Sequence, residues 1–138
     1  REIIFRGKRL DNGEWVQGDL LQDPDLGGVT ISWFGYDVFE HGIERWETSE
    51  SVVPETVGQF TGLTDKNGKR IFEGDIIRCG GKVVGVVNYH DCCFCVRFIM
   101  KDHANRSNPA MDIIENEYPN DIEVIGNIHD NPELLKGV

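Results

Sequence analysis

The chain has 138 residues, of which 39% are hydrophobic and 28% charged, and its formal net charge is −10. This composition is typical of a globular protein with one domain or two small ones, and it excludes a disordered chain. A membrane helix is excluded as well, because no apolar run approaches the roughly 18 residues that it needs. Since the first eight residues include four charged ones and no long apolar stretch, we expect no signal peptide and a cytoplasmic location.

The acidic residues are spread evenly over the chain. Residues 1–70 contain eight Lys/Arg and thirteen Asp/Glu, and residues 71–138 contain six and eleven. Binding to a phosphate backbone depends on basic side chains that neutralise phosphates, and the one basic cluster is small: Lys66, Lys69 and Arg70. Nucleic acid is therefore a disfavoured partner, although small β-barrels often bind it, and a nucleic-acid-associated barrel stays as an alternative.

A short phrase occurs twice in the sequence. An Asn-Gly dipeptide, a partly apolar run, a Gly-Asp step and an apolar pair make up residues 12–21 and return, one residue longer, in residues 67–77. Asn-Gly favours a two-residue hairpin turn of type I′, in which both central residues have positive φ. The phrase therefore predicts two hairpin-built modules, an amino-terminal β subdomain over residues 1–63 and a second domain over residues 64–138.

The first half is predicted as three strands and a loop, followed by two short strands at residues 51–53 and 59–63. Residues 3–10 and 14–21 would pair across the Asn12-Gly13 turn, and residues 29–34 alternate as a third strand. Residues 35–50 are rich in polar and turn-forming residues with no clean period, so we interpret them as a loop with short extended pieces.

The second half is predicted as a small antiparallel barrel. Five strand candidates follow one another with regular turn signals: 71–72, 75–79, 82–89, 94–99 and 122–128. Their order suggests an SH3-type barrel, in which Gly74 and Gly85 would let the strands bend at the corners.

Helix signals are sparse. The polar stretch 101–121 contains one short apolar island, and Asn131-Pro132 predicts a short closing helix because Asn caps and Pro suits the first turn. The fold class is therefore mainly β, built from small antiparallel barrels and hairpins with little helix.

The cysteines are the residues that most suggest metal chemistry. Cys92 and Cys95 have a zinc-ligand spacing, and His90 and Cys79 could complete a Cys3His set. Against a zinc site, the segment has no second closely spaced pair and no glycine to fold its backbone around an ion. Redox chemistry of the C-x-x-C pair is disfavoured because it usually needs a helix N-terminus, and the compartment disfavours disulfides. We therefore predict no metal or cofactor and keep a zinc-stabilised domain as an alternative.

The sequence contains no catalytic constellation. The histidines (His41, His90, His103 and His129) are dispersed, and no nucleophile, phosphate-loop or dinucleotide motif occurs. Asp19 and Asp75 of the two Gly-Asp steps could form an acid/base pair, but aspartate after glycine more often binds local backbone amides. We therefore predict that the protein is not an enzyme.

An aromatic-rich stretch lies in the least regular region of the sequence. Core packing explains part of it, and aromatic side chains left exposed on a loop would be anchors for a protein partner. The candidate partner surface consists of Trp33, Phe34, Tyr36 and Trp46.

Three segments carry a specific resemblance: residues 53–77, which include the second copy of the repeated phrase, residues 124–135 and residues 1–6. They resemble the YopX family, and the likeness extends over nearly the whole chain, with residues 22–50 and 90–120 lying where such proteins vary. The resemblance implies a cytoplasmic protein of phages and prophages whose carboxy-terminal part is like an SH3-type barrel. It implies no activity, substrate or catalytic residue.

These observations together predict a non-enzymatic protein-binding module that acts on a host or phage protein in the bacterial cytoplasm. Its protein partner is unidentified, and neither nucleic acid nor a membrane is expected as a partner. Self-association stays open.

Overall fold

The computed structural model describes residues 2–25, 27–99 and 107–136. Among the predicted features, His103 and the first part of the polar stretch lie outside these residues. The amino-terminal strands are β1 (Phe5–Lys8), β2 (Trp15–Asp23), β3 (Gly28–Phe39), β4 (Gly42–Ser51) and β5 (Gly58–Thr64). The later strands are β6 (Arg70–Phe72), β7 (Asp75–Cys79), β8 (Val83–His90), β9 (Cys93–Phe98), β10 (Ser107–Pro109) and β11 (Ile122–Asn127). Helical turns occur at Pro54–Thr56, Asp112–Glu117 and Pro132–Leu135.

The chain folds into two compact units, one from residue 2 to Gln59 and one from Phe60 onwards. The boundary falls inside β5. The first two residues of this strand, Gly58 and Gln59, pair with β1, and the rest of the strand pairs with β6 from Phe60 to Thr64.

The amino-terminal unit is an antiparallel sheet in the order β4-β3-β2-β1, extended by the start of β5. Its apolar interior is small and centres on the fully buried side chains of Ile31 and Val52. Gly7 lies directly against Val52, so that a Cβ at Gly7 would come within 2.9 Å of Val52 Cγ2. Thr56 fastens β1 to the helical turn that follows β4, because its hydroxyl accepts the Lys8 N–H at 2.9 Å.

The carboxy-terminal unit contains a five-stranded antiparallel sheet in the order β10-β9-β8-β7-β11. Its core is made of aliphatic and aromatic residues of this sheet together with Ile71 of β6 and two isoleucines of the turn at Asp112–Glu117. The sheet residues are Ile77, Val87, Val96, Phe98 and Ile122, and the turn residues are Ile113 and Ile114. Burying one such side chain contributes about 1.5–3 kcal/mol. Because more apolar side chains are buried in this unit than in the amino-terminal unit, it has the larger apolar core of the two.

The predicted fold class, mainly β, is confirmed. The predicted closed barrel is not formed, because β10 and β11 lie at the two edges of the five-stranded sheet and do not pair with each other. Between these strands the chain forms a helical turn that inserts Ile113 and Ile114 into the core, so part of the core is covered by a helical turn instead of a strand.

Both Asn-Gly dipeptides lie in hairpin loops, as predicted, but the predicted type I′ turn is wrong. Only the glycines have positive φ, +72° at Gly13 and +78° at Gly68. In the second loop the Asp65 N–H donates to the Lys69 carbonyl at 2.8 Å and encloses three residues, the loop length that places glycine in the left-handed position next to a bulge.

Two further local predictions are corrected. Residues 35–50 are not a loop, because β3 continues to Phe39 and β4 begins at Gly42. The predicted closing helix is a single turn at Pro132–Leu135, and Asn131 does not cap it. The Asn131 side chain accepts the Asn127 N–H at 3.2 Å instead, and thereby ties the turn to the end of β11.

Candidate functional site

The hairpin of β3 and β4 is longer than the sheet that carries it. β2 pairs with β3 only from Gly28 to Ser32, whereas β3 and β4 pair from Thr30↔Ser51 out to Phe39↔Gly42. Among the described residues, positions 33–39 and 42–48 therefore have ladder partners only in each other. We call residues 33–48 the β3–β4 arm.

One side of the arm carries four exposed apolar side chains beside Arg45 and Glu47 of β4. Side chains alternate along a strand and directly paired residues share a face, so Phe34, Tyr36 and Val38 of β3 lie on the same face as Ile43 of β4. Their exposed fractions are 51%, 59%, 78% and 69%, respectively. We call these four residues the apolar face. A contiguous group of exposed apolar side chains is typical of an interaction site.

Local contacts order the apolar face in the free chain. The Arg45 guanidinium lies 4.5 Å from the centroid of the Phe34 ring and forms an ion pair with Glu47 at 2.7 Å. The hydrogen bond to Glu47 raises the pKa of Arg45. The Phe34 and Tyr36 rings meet edge to face with centroids 5.8 Å apart. A cationic side chain on an aromatic face and a T-shaped ring pair are both favourable arrangements.

The opposite side of the arm carries the tryptophans. Trp46 pairs across the ladder with Gly35, and its indole covers the glycine so closely that a Cβ on Gly35 would lie 2.3 Å from Cζ2 of the ring. Trp33 is half-buried at the base of the arm. Near the tip, Phe39 stacks on His41 with ring centroids 5.0 Å apart, and His41 contacts Glu44 at 3.0 Å.

The four residues predicted as a partner surface thus all lie on the arm, but they divide between its two faces. Phe34 and Tyr36 belong to the apolar face, whereas Trp33 and Trp46 point to the other side. Sequence reasoning missed Val38 and Ile43, the most exposed members of the apolar face. The signal that could have found Val38 is the alternation of apolar residues at positions 34, 36 and 38.

The cysteines and histidine of the alternative zinc site, Cys79, His90, Cys92 and Cys95, are not grouped as a metal site in the described residues. His90 pairs with Cys93 at the β8–β9 turn, in which Cys92 is exposed. Cys79 is fully buried and pairs with Val83, at the other end of β8. Burial raises the pKa of the Cys79 thiol to about 12. In the part of the chain that the structure describes, no three His, Cys, Asp or Glu side chains are grouped so as to hold a metal ion.

The two Gly-Asp aspartates belong to different units and have different environments. Asp19 is exposed on β2 of the amino-terminal unit, and Asp75 is 1% exposed in the carboxy-terminal unit. The Asp75 carboxylate accepts the Phe72 N–H at 2.7 Å. At this position the local backbone role of aspartate after glycine is confirmed.

An open depression of about 420 Å³ in the carboxy-terminal unit contains Asp65, Lys66 and Glu115 in its lining. Oδ1 of Asp65 accepts the N–H groups of Asn67 and Lys69, both at 2.9 Å, and Oδ2 accepts that of Val124 at 3.0 Å. Burial raises the pKa of this carboxyl, but the backbone donors outweigh burial and leave the pKa below its ordinary value. Asp65 therefore holds the fold together and has little capacity left for a ligand.

These arrangements define a mainly β protein whose candidate interaction site is a protruding two-stranded arm. None of the helical segments in the described residues has the length and apolarity needed to span a bilayer.

The comparisons with known proteins agree with this architecture. The family model of YopX protein matches residues 4–136, so the chain belongs to the YopX family. A solved structure with a similar fold is the crystal structure of protein EF1440 from Enterococcus faecalis, which is 26% identical in sequence with a TM-score of 0.62. The similarity covers 98% of this chain and 99% of that chain. No curated protein matches the chain.

Proposed function

We propose that this YopX-family protein is a non-enzymatic module that binds another protein through the apolar face of its β3–β4 arm. The observation that carries the proposal is the exposure of Phe34, Tyr36, Val38 and Ile43 on one face of a ribbon that extends past β2. Leaving such side chains in water is unfavourable, and burying them against a partner contributes roughly 25 cal/mol per Å² of apolar surface removed from water, which offsets the entropic and desolvation costs of association.

The charge of the arm indicates the chemistry of the partner. Residues 33–48 contain Asp37, Glu40, Glu44 and Glu47 but a single basic residue, Arg45. Two such arms would repel each other, whereas lysines or arginines around an apolar groove would be attracted to the arm and would increase the association rate. We therefore propose a partner with an apolar groove bordered by basic residues.

The edges of the arm suggest how the partner docks. β4 is the edge strand of its sheet, and an edge strand presents backbone groups to which an extended segment of another chain can add. Family membership adds the expectation that the partner is a host or phage protein in the bacterial cytoplasm.

A photocrosslinking experiment tests the proposal. Benzoylphenylalanine in place of Val38, which is 78% exposed on the arm, should crosslink a protein from bacterial lysate, while the same replacement of Leu10, which is 63% exposed outside the arm, should not. The double variant Tyr36→Ser/Val38→Ser should then bind the purified crosslinked protein at least tenfold more weakly, about 1.4 kcal/mol.

Leu10→Ser serves as the matched control, since it removes an equally exposed apolar side chain elsewhere, and it should bind as wild type does. The proposal is wrong if no partner is captured at low salt, or if the purified partner binds the double variant and the wild type equally.

A further inference from the structure

Two cysteines of the β8–β9 hairpin are in direct contact. Cys93 and Cys95 are two residues apart in β9 and therefore lie on the same side of the strand. Their Sγ atoms are 3.3 Å apart, within hydrogen-bond distance of each other, and either thiol can be the donor. The pair that the structure brings together is thus not the C-x-x-C pair of Cys92 and Cys95 that the sequence emphasises.

The turn before β9 holds this pair in place. Asp91 and Cys92 both have positive φ, 50° and 64°, although neither is glycine. They join His90 to Cys93, which pair across the ladder. The carbonyl of His90 faces both thiols, at 3.5 Å from Cys93 Sγ and 3.6 Å from Cys95 Sγ. The two sulfur atoms are therefore oriented toward a common point.

We propose that Cys93 and Cys95 are a reversible dithiol site that a hydroperoxide oxidises to an intramolecular disulfide. A disulfide has an S–S distance of about 2.05 Å, so the sulfur atoms need to approach each other by about 1.2 Å. The Cα atoms of residues two apart in a strand are about 6.4–6.8 Å from each other, at the upper end of the range that a disulfide tolerates. Such a bond is strained, and strained disulfides are the readily reduced ones.

The exposure of the two thiols sets the order of the reaction. Cys95 is 5% exposed, and burial raises its pKa to about 11, so it stays protonated at neutral pH. Cys93 is only partly buried and is the thiol that the peroxide reaches. The Cys93 sulfur attacks one peroxide oxygen as the thiolate, which breaks the O–O bond and forms the sulfenic acid. The other peroxide oxygen leaves as alkoxide or hydroxide and takes up the proton that the Cys93 thiol released, which gives an alcohol or water. The Cys95 sulfur then attacks the Cys93 sulfur and expels the hydroxyl, which leaves as water with the Cys95 proton.

The overall change removes one hydrogen from each thiol and reduces the peroxide to water and an alcohol, or to two waters for hydrogen peroxide. A small dithiol reductant reverses it by thiol–disulfide exchange. Because Cys93 and Cys95 face Asn88 and His90 of β8, formation of the bond also changes the geometry of the last ladder pairs of the β8–β9 hairpin.

Peptide mapping of the full-length chain tests the proposal. Trypsin releases residues 83–97 as one peptide that contains Cys92, Cys93 and Cys95, so the variant Cys92→Ser is used to leave only the proposed pair in it. After treatment with hydrogen peroxide, this peptide should lose the mass of two hydrogen atoms and resist alkylation at both cysteines. Dithiothreitol should restore both the mass and the alkylation.

Cys92→Ser/Cys95→Ser is the matched control that removes the second thiol. In this variant dimedone should trap a sulfenic acid on Cys93, whereas Cys92→Ser should give no lasting adduct. The melting temperatures of the serine variants in their reduced forms show that the hairpin is intact. The proposal is overturned if Cys93 and Cys95 of Cys92→Ser both stay alkylatable under conditions that oxidise Cys92 in the wild type, or if the variant forms only disulfides between chains.

Discussion

At the scale of single residues, Asp65 joins two segments of the carboxy-terminal unit that are far apart in sequence. Its two oxygens accept three backbone N–H groups, two from its own hairpin loop and one from Val124 in β11. The sequence places Asp65 beside an Asn-Gly turn, where aspartate ordinarily serves the local backbone. The hydrogen bond from the Val124 N–H also connects the β5–β6 loop, which contains Asp65, to β11.

Asp65→Asn should destabilise the protein by about 2 kcal/mol. In the wild type both carboxylate oxygens accept backbone N–H groups, whereas the amide of asparagine has one acceptor oxygen and places its NH₂ donor against an N–H group that then has no acceptor. Chemical denaturation at pH 7 measures the loss. Asp25→Asn, at an exposed turn residue, is the matched control and should change the free energy of unfolding little.

The same carboxylate makes stability depend on pH. Its folded pKa is below the ordinary value of 3.8, so its contribution is complete above pH 3.8 and is lost as the pH falls through the folded pKa. The difference in unfolding free energy between wild type and Asp65→Asn should therefore narrow in acid. A difference that stays constant from pH 7 down to the acid limit of folding would contradict this assignment.

Among the elements, the β3–β4 arm is a clear case in which the prediction from sequence is wrong, because residues 35–50 form strands and not a loop. Burial of one strand face produces the alternation by which strands are recognised, but most side chains of the arm are exposed on both faces. Phe34 and Trp46 were recognised as candidate contacts because they are aromatic, independently of secondary structure. The division of the predicted surface between two faces depends on the register of β3 against β4, which no local pattern specifies.

Gly35→Ala should displace the Trp46 indole from the arm, since the added Cβ would lie 2.3 Å from the ring. The expected results are a shift in tryptophan fluorescence and a loss of near-ultraviolet circular dichroism, with little change in global stability because the ring can swing into solvent. Gly28→Ala, in the same strand but with nothing within 4 Å of its added Cβ, should leave both spectra unchanged. Identical spectra for the two variants would show that Trp46 does not rest on Gly35.

At the scale of the whole molecule, the even distribution of acidic residues is the dominant electrostatic property. Both halves of the sequence carry the same excess of negative charge, and the basic residues 66, 69 and 70 surround one loop. Lys66 already contacts Glu123 at 3.7 Å. The remaining positive field is therefore small beside the net charge of −10.

This charge predicts that the protein does not bind DNA or RNA at about 0.1 M salt, at which exposed charges are screened beyond about 10 Å. An electrophoretic shift assay with single- and double-stranded probes checks this. Lys66→Glu/Lys69→Glu removes most of the basic cluster and should behave as the wild type does. A shift that persists at this salt concentration and disappears in the double variant would restore the nucleic-acid alternative.

The sequence by itself determined the mainly β class, the positions of both Asn-Gly hairpins and the likeness to the YopX family, because turn chemistry and strand alternation are encoded within a few neighbouring residues. Only the tertiary structure decided the open sheet, the two faces of the arm, the bond from Val124 to Asp65 and the contact between Cys93 and Cys95. The first three depend on the register between strands or on contacts between distant segments. The contact between Cys93 and Cys95 depends on the conformation of the turn that precedes β9, and amino-acid composition does not specify that conformation.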